Sequence, residues 1–235
     1  MKIITCPYEG KEFLFPVNNF KEKISKYKPK LVFICNPNNP TGTLLSAQEI
    51  INIANINKES LIVVDELYEK FCGDSLLPDI DFSRNKNIII IQSLSKNAGL
   101  AGLRIGFAFG NEHIIKCINK VTGPYDINSF AVIAAIASLN DKEYIDNYVL
   151  EVKNARSWIK NKFKSINIRS HFSSGNYFLI WPKKDPEKLE KEMRERGILI
   201  RNMKNKEYIE GSIRISLGTK KQMKIFWELY KELDQ

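Results

Sequence analysis

The sequence predicts an α/β chain with a larger N-terminal unit and a smaller C-terminal α/β unit. Three observations carry this. Short apolar runs rich in β-branched residues recur at Leu31 to Cys35, Leu61 to Val64, Ile88 to Ile91 and Ile105 to Phe109. Helical patterns lie between and after them, and nearly continuous apolar strands are typical of a sheet covered on both faces. Residues able to do chemistry fall just past these runs, at the carboxyl ends of strands where α/β sheets bind ligands.

Between the first two runs, Ser46-Ala47-Gln48-Glu49 reads as a capping box whose hydroxyl and carboxylate satisfy free helix-start amides, and Ile50, Ile51, Ile53 and Ala54 follow it. From Ser129 to Leu139 the chain is apolar on every side, which predicts a buried helix. From about Asp141 to Phe163, Tyr144, Ile145, Tyr148, Val149, Val152 and Trp158 alternate with charges, as in a long amphipathic helix able to bridge two lobes. Strands are then expected at Tyr177 to Trp181, Ile198 to Ile200 and Ile213 to Leu217, and a helix at Pro186 to Arg196. A second capping box, Thr219-Lys220-Lys221-Gln222, opens a last helix carrying Met223, Ile225, Phe226, Leu229 and Leu233. No repeat or low-complexity linker intervenes, so the division is expected near residue 145, giving units 1–145 and 146–235.

Composition narrows the function. With 235 residues, 43% apolar and 27% charged, the chain can bury a substantial core and is not a disordered segment. The net charge of +9 is scattered from Lys21 to Lys231 without an aromatic–basic motif, which argues against nucleic-acid binding. No apolar run approaches the ~20 residues needed to cross a bilayer, since Phe130 to Leu139 is too short and contains Ser138. The first residues lack the apolar stretch of a signal peptide, so a soluble, cytoplasmic protein is expected. Cys6, Cys35, Cys72 and Cys117 show no metal-type spacing; reduced, mostly buried thiols and no metal are expected.

Four strand-end sites call for a common explanation. Asn36-Pro37-Asn38-Asn39-Pro40-Thr41-Gly42 follows the first run, and taken alone is a turn. Asp65-Glu66-Leu67-Tyr68 puts an acid directly after the second run, where a carboxylate is costly unless something positive meets it. Ser93-Leu94-Ser95-Lys96 follows the third and leads to Gly99-Leu100-Ala101-Gly102-Leu103-Arg104. Arg201 and Arg214 adjoin strands of the small unit. A lysine after a Ser-rich turn can form a Schiff base with an aldehyde cofactor, while hydroxyls and a guanidinium hold that cofactor's phosphate. Pyridoxal phosphate has both handles. Its ring withdraws electrons well only when the pyridine nitrogen is protonated, a task for Asp65, and its phenolic oxygen suits the Tyr68 hydroxyl and the Asn39 amide.

Together these segments, in this order and spacing, resemble the pyridoxal-phosphate-dependent aminotransferases of fold type I, nearest to the histidinol-phosphate aminotransferase branch. Pro124-Tyr125-Asp126-Ile127-Asn128 adds to the likeness. The resemblance implies a three-layer α/β/α large domain with a smaller C-terminal α/β domain. It implies Lys96 as the catalytic Schiff-base lysine and Asp65 as the pyridinium partner. Tyr68 and Asn39 become ligands of the phenolic oxygen, and Ser93, Ser95 and Arg104 ligands of the phosphate. Arg201 and Arg214 become the pair that holds an anionic substrate group. The implied reaction moves an amino group from an anionic amine or amino acid to a 2-oxo acid, with 2-oxoglutarate as the acceptor. The alternatives are a lyase resembling threonine-phosphate decarboxylase, or an inactive fragment or interaction subunit.

The chain departs from the family at its start. The stretch through Lys30 resembles the segment just before the Asn-Pro motif, so a long N-terminal part, which in the family grips the phosphate, stacks on the ring and contributes to the dimer, is expected to be absent. A homodimer, or association with a chain supplying that part, is therefore expected, together with exposed apolar surface and a bare strand edge.

Overall fold

A computed structural model describes residues 2–234. The chain divides into two compact units, the first running to Asn38 and then from Thr43 to Ile145, the second joining Asn39–Gly42 to the stretch from Asp146 onward. The boundary after Ile145 falls inside a helix. The short excursion at Asn39–Gly42 is not contiguous with the rest of its unit, unlike the simple division at residue 145 expected from sequence. Long-range bonds explain it: the His171 imidazole Nε2 lies 2.7 Å from the Thr41 carbonyl oxygen, and Ser173 Oγ donates to the Gly42 carbonyl at 2.8 Å.

The first unit contains α1 (Val17–Tyr27), β1 (Leu31–Cys35), α2 (Ala47–Ala54), β2 (Leu61–Asp65), α3 (Glu69–Cys72), β3 (Ile88–Ser93), α4 (Leu94–Asn97), a 3-10 turn (Ala101–Leu103), β4 (Gly106–Gly110), α5 (Glu112–Asn119) and α6 (Ser129–Asn140). Its sheet has the order β1-β2-β3-β4, with the first three strands parallel and β4 antiparallel to β3. The parallel pairs need crossovers, and α2, capped at Ser46 by the expected reciprocal box with Glu49, provides the one between β1 and β2. Alternation then sorts the side chains. Val32 and Ile34 of β1, Ile62 and Val64 of β2, and Ile88 and Ile90 of β3 form one core with Ile24 of α1 and Ile50, Ile53 and Ala54 of α2.

The opposite face is not covered throughout, contrary to the expectation of a sheet buried on both sides. Leu31, Phe33 and Cys35 of the edge strand β1 are exposed, Phe33 by 66%, although Val63 and Ile89 in the middle strands are buried. The expected burial of the thiols is not found. Cys35 and Cys117 are exposed and Cys6 and Cys72 half-buried, all four free. Helix α6 forms where expected, but only Ala131 and Ala135 are buried, against Leu94 and Ile105, and its large side chains face outward.

The second unit contains α7 (Lys142–Ser165, whose first turn still belongs to the first unit), β5 (Ser170–Phe172), β6 (Tyr177–Ile180), α8 (Pro186–Glu195), β7 (Arg201–Asn202), β8 (Ile213–Ser216) and α9 (Lys220–Leu233). Its antiparallel sheet has the order β5-β6-β8-β7. The strand expected at Ile198–Ile200 instead pairs at Arg201–Asn202, because the Ile198 amide donates to Met193 O and still closes the end of α8. The core is aromatic. Phe163 of α7 meets Trp227 and Tyr230 of α9 at ring centroid distances of 5.2 and 5.0 Å, and Phe172 stacks on Phe178 at 4.5 Å. Among the described residues no helix is long and apolar enough to cross a membrane, and no cluster of His, Cys, Asp and Glu is placed to hold a metal ion.

Candidate active site

In the first unit the chemistry gathers at the carboxyl ends of β2 and β3. Asp65 lies in register with Cys35 on one side and Ile91 on the other, so all three side chains share a face of the sheet, and Ser93, two residues beyond Ile91, shares it too. The Asp65 carboxyl is half-buried, and Oδ1 accepts from the Leu67 amide at 3.1 Å. Burial pushes its pKa above the ordinary aspartate value, with the Leu67 bond pulling partly the other way. A carboxylate in this position is best satisfied by a cation brought to it. Tyr68, one short turn on, is buried, and its ring centroid lies 5.7 Å from Lys96 Nζ.

The residue after Asp65 has a different duty, one that sequence reasoning did not assign. Glu66 points to the other face and is fully buried. Its Oε2 accepts from Ser75 Oγ at 2.6 Å and from Gln92 Nε2 at 2.9 Å, and its Oε1 from the Leu76 amide at 2.7 Å. Glu66 thereby ties the end of β2 to the end of β3 directly beneath Asp65 and Ser93. The signal was available in the alternation of adjacent strand residues, which sends Asp65 and Glu66 to opposite faces.

Lys96 sits on α4, a single turn whose start is capped by Ser93: the Ser95 amide donates to Ser93 Oγ at 3.1 Å. Ser93 Oγ also donates to Ile105 O at 3.0 Å, and the two serine hydroxyls are 2.7 Å apart. Arg104 is exposed and holds a left-handed backbone, φ 57°, at the end of the 3-10 turn, where its Nη1 donates to Ala101 O at 3.0 Å. An amine, two hydroxyls, a guanidinium and a half-buried acid thus occupy one end of one sheet. This donor set fits pyridoxal phosphate: hydroxyls and guanidinium for a phosphate, the amine for an aldehyde, the acid for a protonated ring nitrogen.

The remaining candidates lie in the second unit. Arg201 and Arg214 are directly opposite each other on β7 and β8, an arrangement of like charges that is destabilising without an anion to share. Arg214 Nη1 donates to Asn39 Oδ1 at 3.0 Å, and its guanidinium carbon lies 5.9 Å from the centroid of the buried Tyr177 ring. Asn39 is therefore tied to Arg214 within its own unit. Gly42, at φ +69°, secures that segment, since a Cβ there would meet Ser173 Cβ at 2.7 Å and the Ser174 amide at 2.9 Å.

Comparison with known proteins agrees with this chemistry. The chain is 37% identical over 213 residues to a histidinol-phosphate aminotransferase of Caldanaerobacter subterraneus subsp. tengcongensis, covering 89% of this chain and 59% of that protein. The solved histidinol-phosphate aminotransferase of Clostridium acetobutylicum superposes with a TM-score of 0.88 at 25% identity, over 97% of this chain and 70% of the other. The L-threonine-O-3-phosphate decarboxylase of Porphyromonas gingivalis superposes with a TM-score of 0.77 at 26% identity, over 88% and 65%. The chain spans just under three fifths of the length of the curated relatives it matches. The sequence model of the family described as aminotransferase class I and II matches residues 1–228, nearly the whole polypeptide. With a lysine-bearing turn and an acid at neighbouring strand ends and a family match of this extent, the chain belongs to the class I and II aminotransferases.

Proposed function

We propose that this chain carries the catalytic residues of a pyridoxal-phosphate-dependent aminotransferase acting on an anionic amine or amino acid, of the histidinol phosphate type, with a 2-oxo acid as acceptor. The observation that carries the reading is the pairing, at adjacent strand ends, of the half-buried Asp65 with the turn that presents Lys96. When bound, pyridoxal phosphate supplies an aldehyde and an electron-withdrawing ring. Lys96 Nζ is the amine that would hold it and would carry a proton to and from the substrate's α-carbon. Asp65 keeps a proton on the ring nitrogen, and the charge it meets there relieves the cost of its own burial. Ser93, Ser95 and Arg104 would hold the phosphate, with Ser93 also capping the turn that carries Ser95 and Lys96. Tyr68 and Asn39 donate to the phenolic oxygen. Arg201 and Arg214 receive the substrate's anionic group, which resolves their mutual repulsion.

The curated relatives, histidinol-phosphate aminotransferases at 31–39% identity, favour transamination over decarboxylation. A cytoplasmic setting suits a chain of this kind. The test is borohydride reduction of the protein with pyridoxal phosphate, followed by peptide mapping, alongside an assay of amino transfer from histidinol phosphate to 2-oxoglutarate. An adduct on Lys96 and amino transfer are expected; an adduct elsewhere, or carbon dioxide release in place of amino transfer, overturns the reading.

A further inference from the structure

The end of the first sheet away from the candidate active site carries a cavity of its own, with a volume of about 760 Å³. It is walled by the residues that lead into β2 and β3 and by α5, so the length of β2, about 15 Å of extended chain, separates it from Asp65. The half-buried Leu61, Ile114 and Ile118 give it apolar walls. Exposed Lys58, Arg84 and Lys86 make it electropositive, and Glu59 is the one acid among the described residues that line it. Arg84 also meets Asp81 at 3.3 Å, an exposed pair that holds weakly. Two features here point to a ligand. Asn87 is 9% exposed, and its Nδ2 donates to Ala54 O and Ser60 O, both at 3.0 Å, while its Oδ1 has no partner among the described residues. A buried acceptor in that condition costs free energy until a donor meets it. His113 and Cys117 lie one turn apart on α5, and the exposed Cys117 Sγ is 3.9 Å from His113 Nε2, so an imidazole is within reach of the thiol proton.

We infer that Cys117 is a site of reversible thiol capping, where a small acidic peptide disulfide is captured as a mixed disulfide. Reactive cysteines occupy electropositive, accessible surroundings of this kind. The chain's other thiols are held back: burial pushes Cys6 and Cys72 up, and at Cys35 desolvation and then the Asp65 carboxylate do the same. His113 accepts the Cys117 proton and the sulfur attacks one sulfur of the incoming disulfide. A bond forms between those two atoms, the incoming S–S bond breaks, and the departing half leaves as a thiolate that takes the proton back from His113. Cys117 is oxidised and the reagent reduced, so no other oxidant is required. The carboxylates of such a reagent answer Lys58, Arg84 and Lys86, and its peptide N–H groups are the kind of donor that Asn87 Oδ1 lacks. The inference is independent of the activity proposed above.

The test is disulfide exchange on the full chain, read by intact mass and peptide mapping. The reagents are oxidised glutathione, neutral hydroxyethyl disulfide and cationic cystamine, each rate being divided by that of free mercaptoethanol with the same reagent. The first adduct with oxidised glutathione should map to Cys117, form about tenfold faster than any at Cys35, and be released by dithiothreitol. Normalised rates should fall in the order anionic, neutral, cationic. Lys58→Glu/Lys86→Glu should remove that order, whereas Lys220→Glu/Lys221→Glu, the same change of charge in the second unit, should keep it. His113→Ala should slow all three reagents alike, by about tenfold. All these substitutions fall on exposed side chains, so circular dichroism and melting temperature should not move. A first adduct on another cysteine, rates indifferent to reagent charge, an order unmoved by the Lys58 and Lys86 substitutions, or a His113→Ala rate equal to that of the parent would each overturn the inference.

Discussion

Replacing Glu66 separates a brace from a catalytic acid. In Glu66→Ala the Leu76 amide, buried under a residue that is 2% exposed, loses its acceptor, at about 1–3 kcal/mol for a stranded buried donor. Ser75 Oγ and Gln92 Nε2 also lose theirs, but both are part-buried and can turn toward water, so about 1 kcal/mol each is reasonable. The sum is about 4 kcal/mol, large for one substitution. Glu66→Gln keeps the shape and one oxygen for Leu76. Its new NH₂ can be accepted by Ser75 Oγ or by a flipped Gln92 amide, and the desolvation of a charge is removed, so the net loss should be about 1 kcal/mol or less. Urea unfolding followed by circular dichroism measures both, and hydrogen exchange at Leu76 reports the brace directly. Were the glutamine as costly as the alanine, or the alanine cheaper than about 1 kcal/mol, the closed network inferred here would be wrong.

Four further outcomes are expected. Because burial raises the Asp65 pKa in the folded chain above its unfolded value, the folded state holds the proton longer, and stability contributed at low pH is lost as pH rises from about 4 upward; Asp65→Asn should flatten that fall in urea titrations across pH without cofactor, while amino transfer drops at least a hundredfold. Lys96→Ala should leave melting nearly unchanged, since the side chain is only half-buried, yet give no borohydride-stable adduct by mass spectrometry. Gly42→Ala, which forces a side chain into a left-handed backbone against Ser173, should lower stability by about 2 kcal/mol in thermal unfolding. Arg214→Ala should raise KM for a phosphorylated amine far more than for an uncharged one, and steady-state kinetics with the two substrates would expose a merely structural role by raising both alike.

Local chemistry was the legible part of this fold. Both capping boxes form because hydroxyl and N3 side chain are neighbours in sequence and need nothing distant. The apolar runs of the first unit were legible because their β-branched composition marks buried strands, although their pairing partners lie far along the chain. Helix α1 has no side-chain cap at Pro16 and an apolar stripe diluted by lysines, and α5, as short as α2, lacks the reciprocal capping box that marks α2 in the sequence. β5, three residues long, is defined by its partner β6 and not by its own pattern. In the site, Asp65 and Lys96 could be read from their positions after strands. The brace at Glu66 and the transfer of Asn39–Gly42 to the second unit depend on Gln92, His171 and Ser173, between 26 and 131 residues away, and no local pattern encodes such partnerships.

The aromatic core of the second unit has an experimental consequence. Trp158, Trp181 and Trp227 are the chain's three tryptophans, and all belong to that unit. Trp227 is buried against Phe163, so its emission should shift to the red when, and only when, that core opens. The first unit is optically silent by this measure. Comparing tryptophan fluorescence with total ellipticity along one denaturation curve would therefore resolve whether the two halves melt together or in turn, with no label introduced.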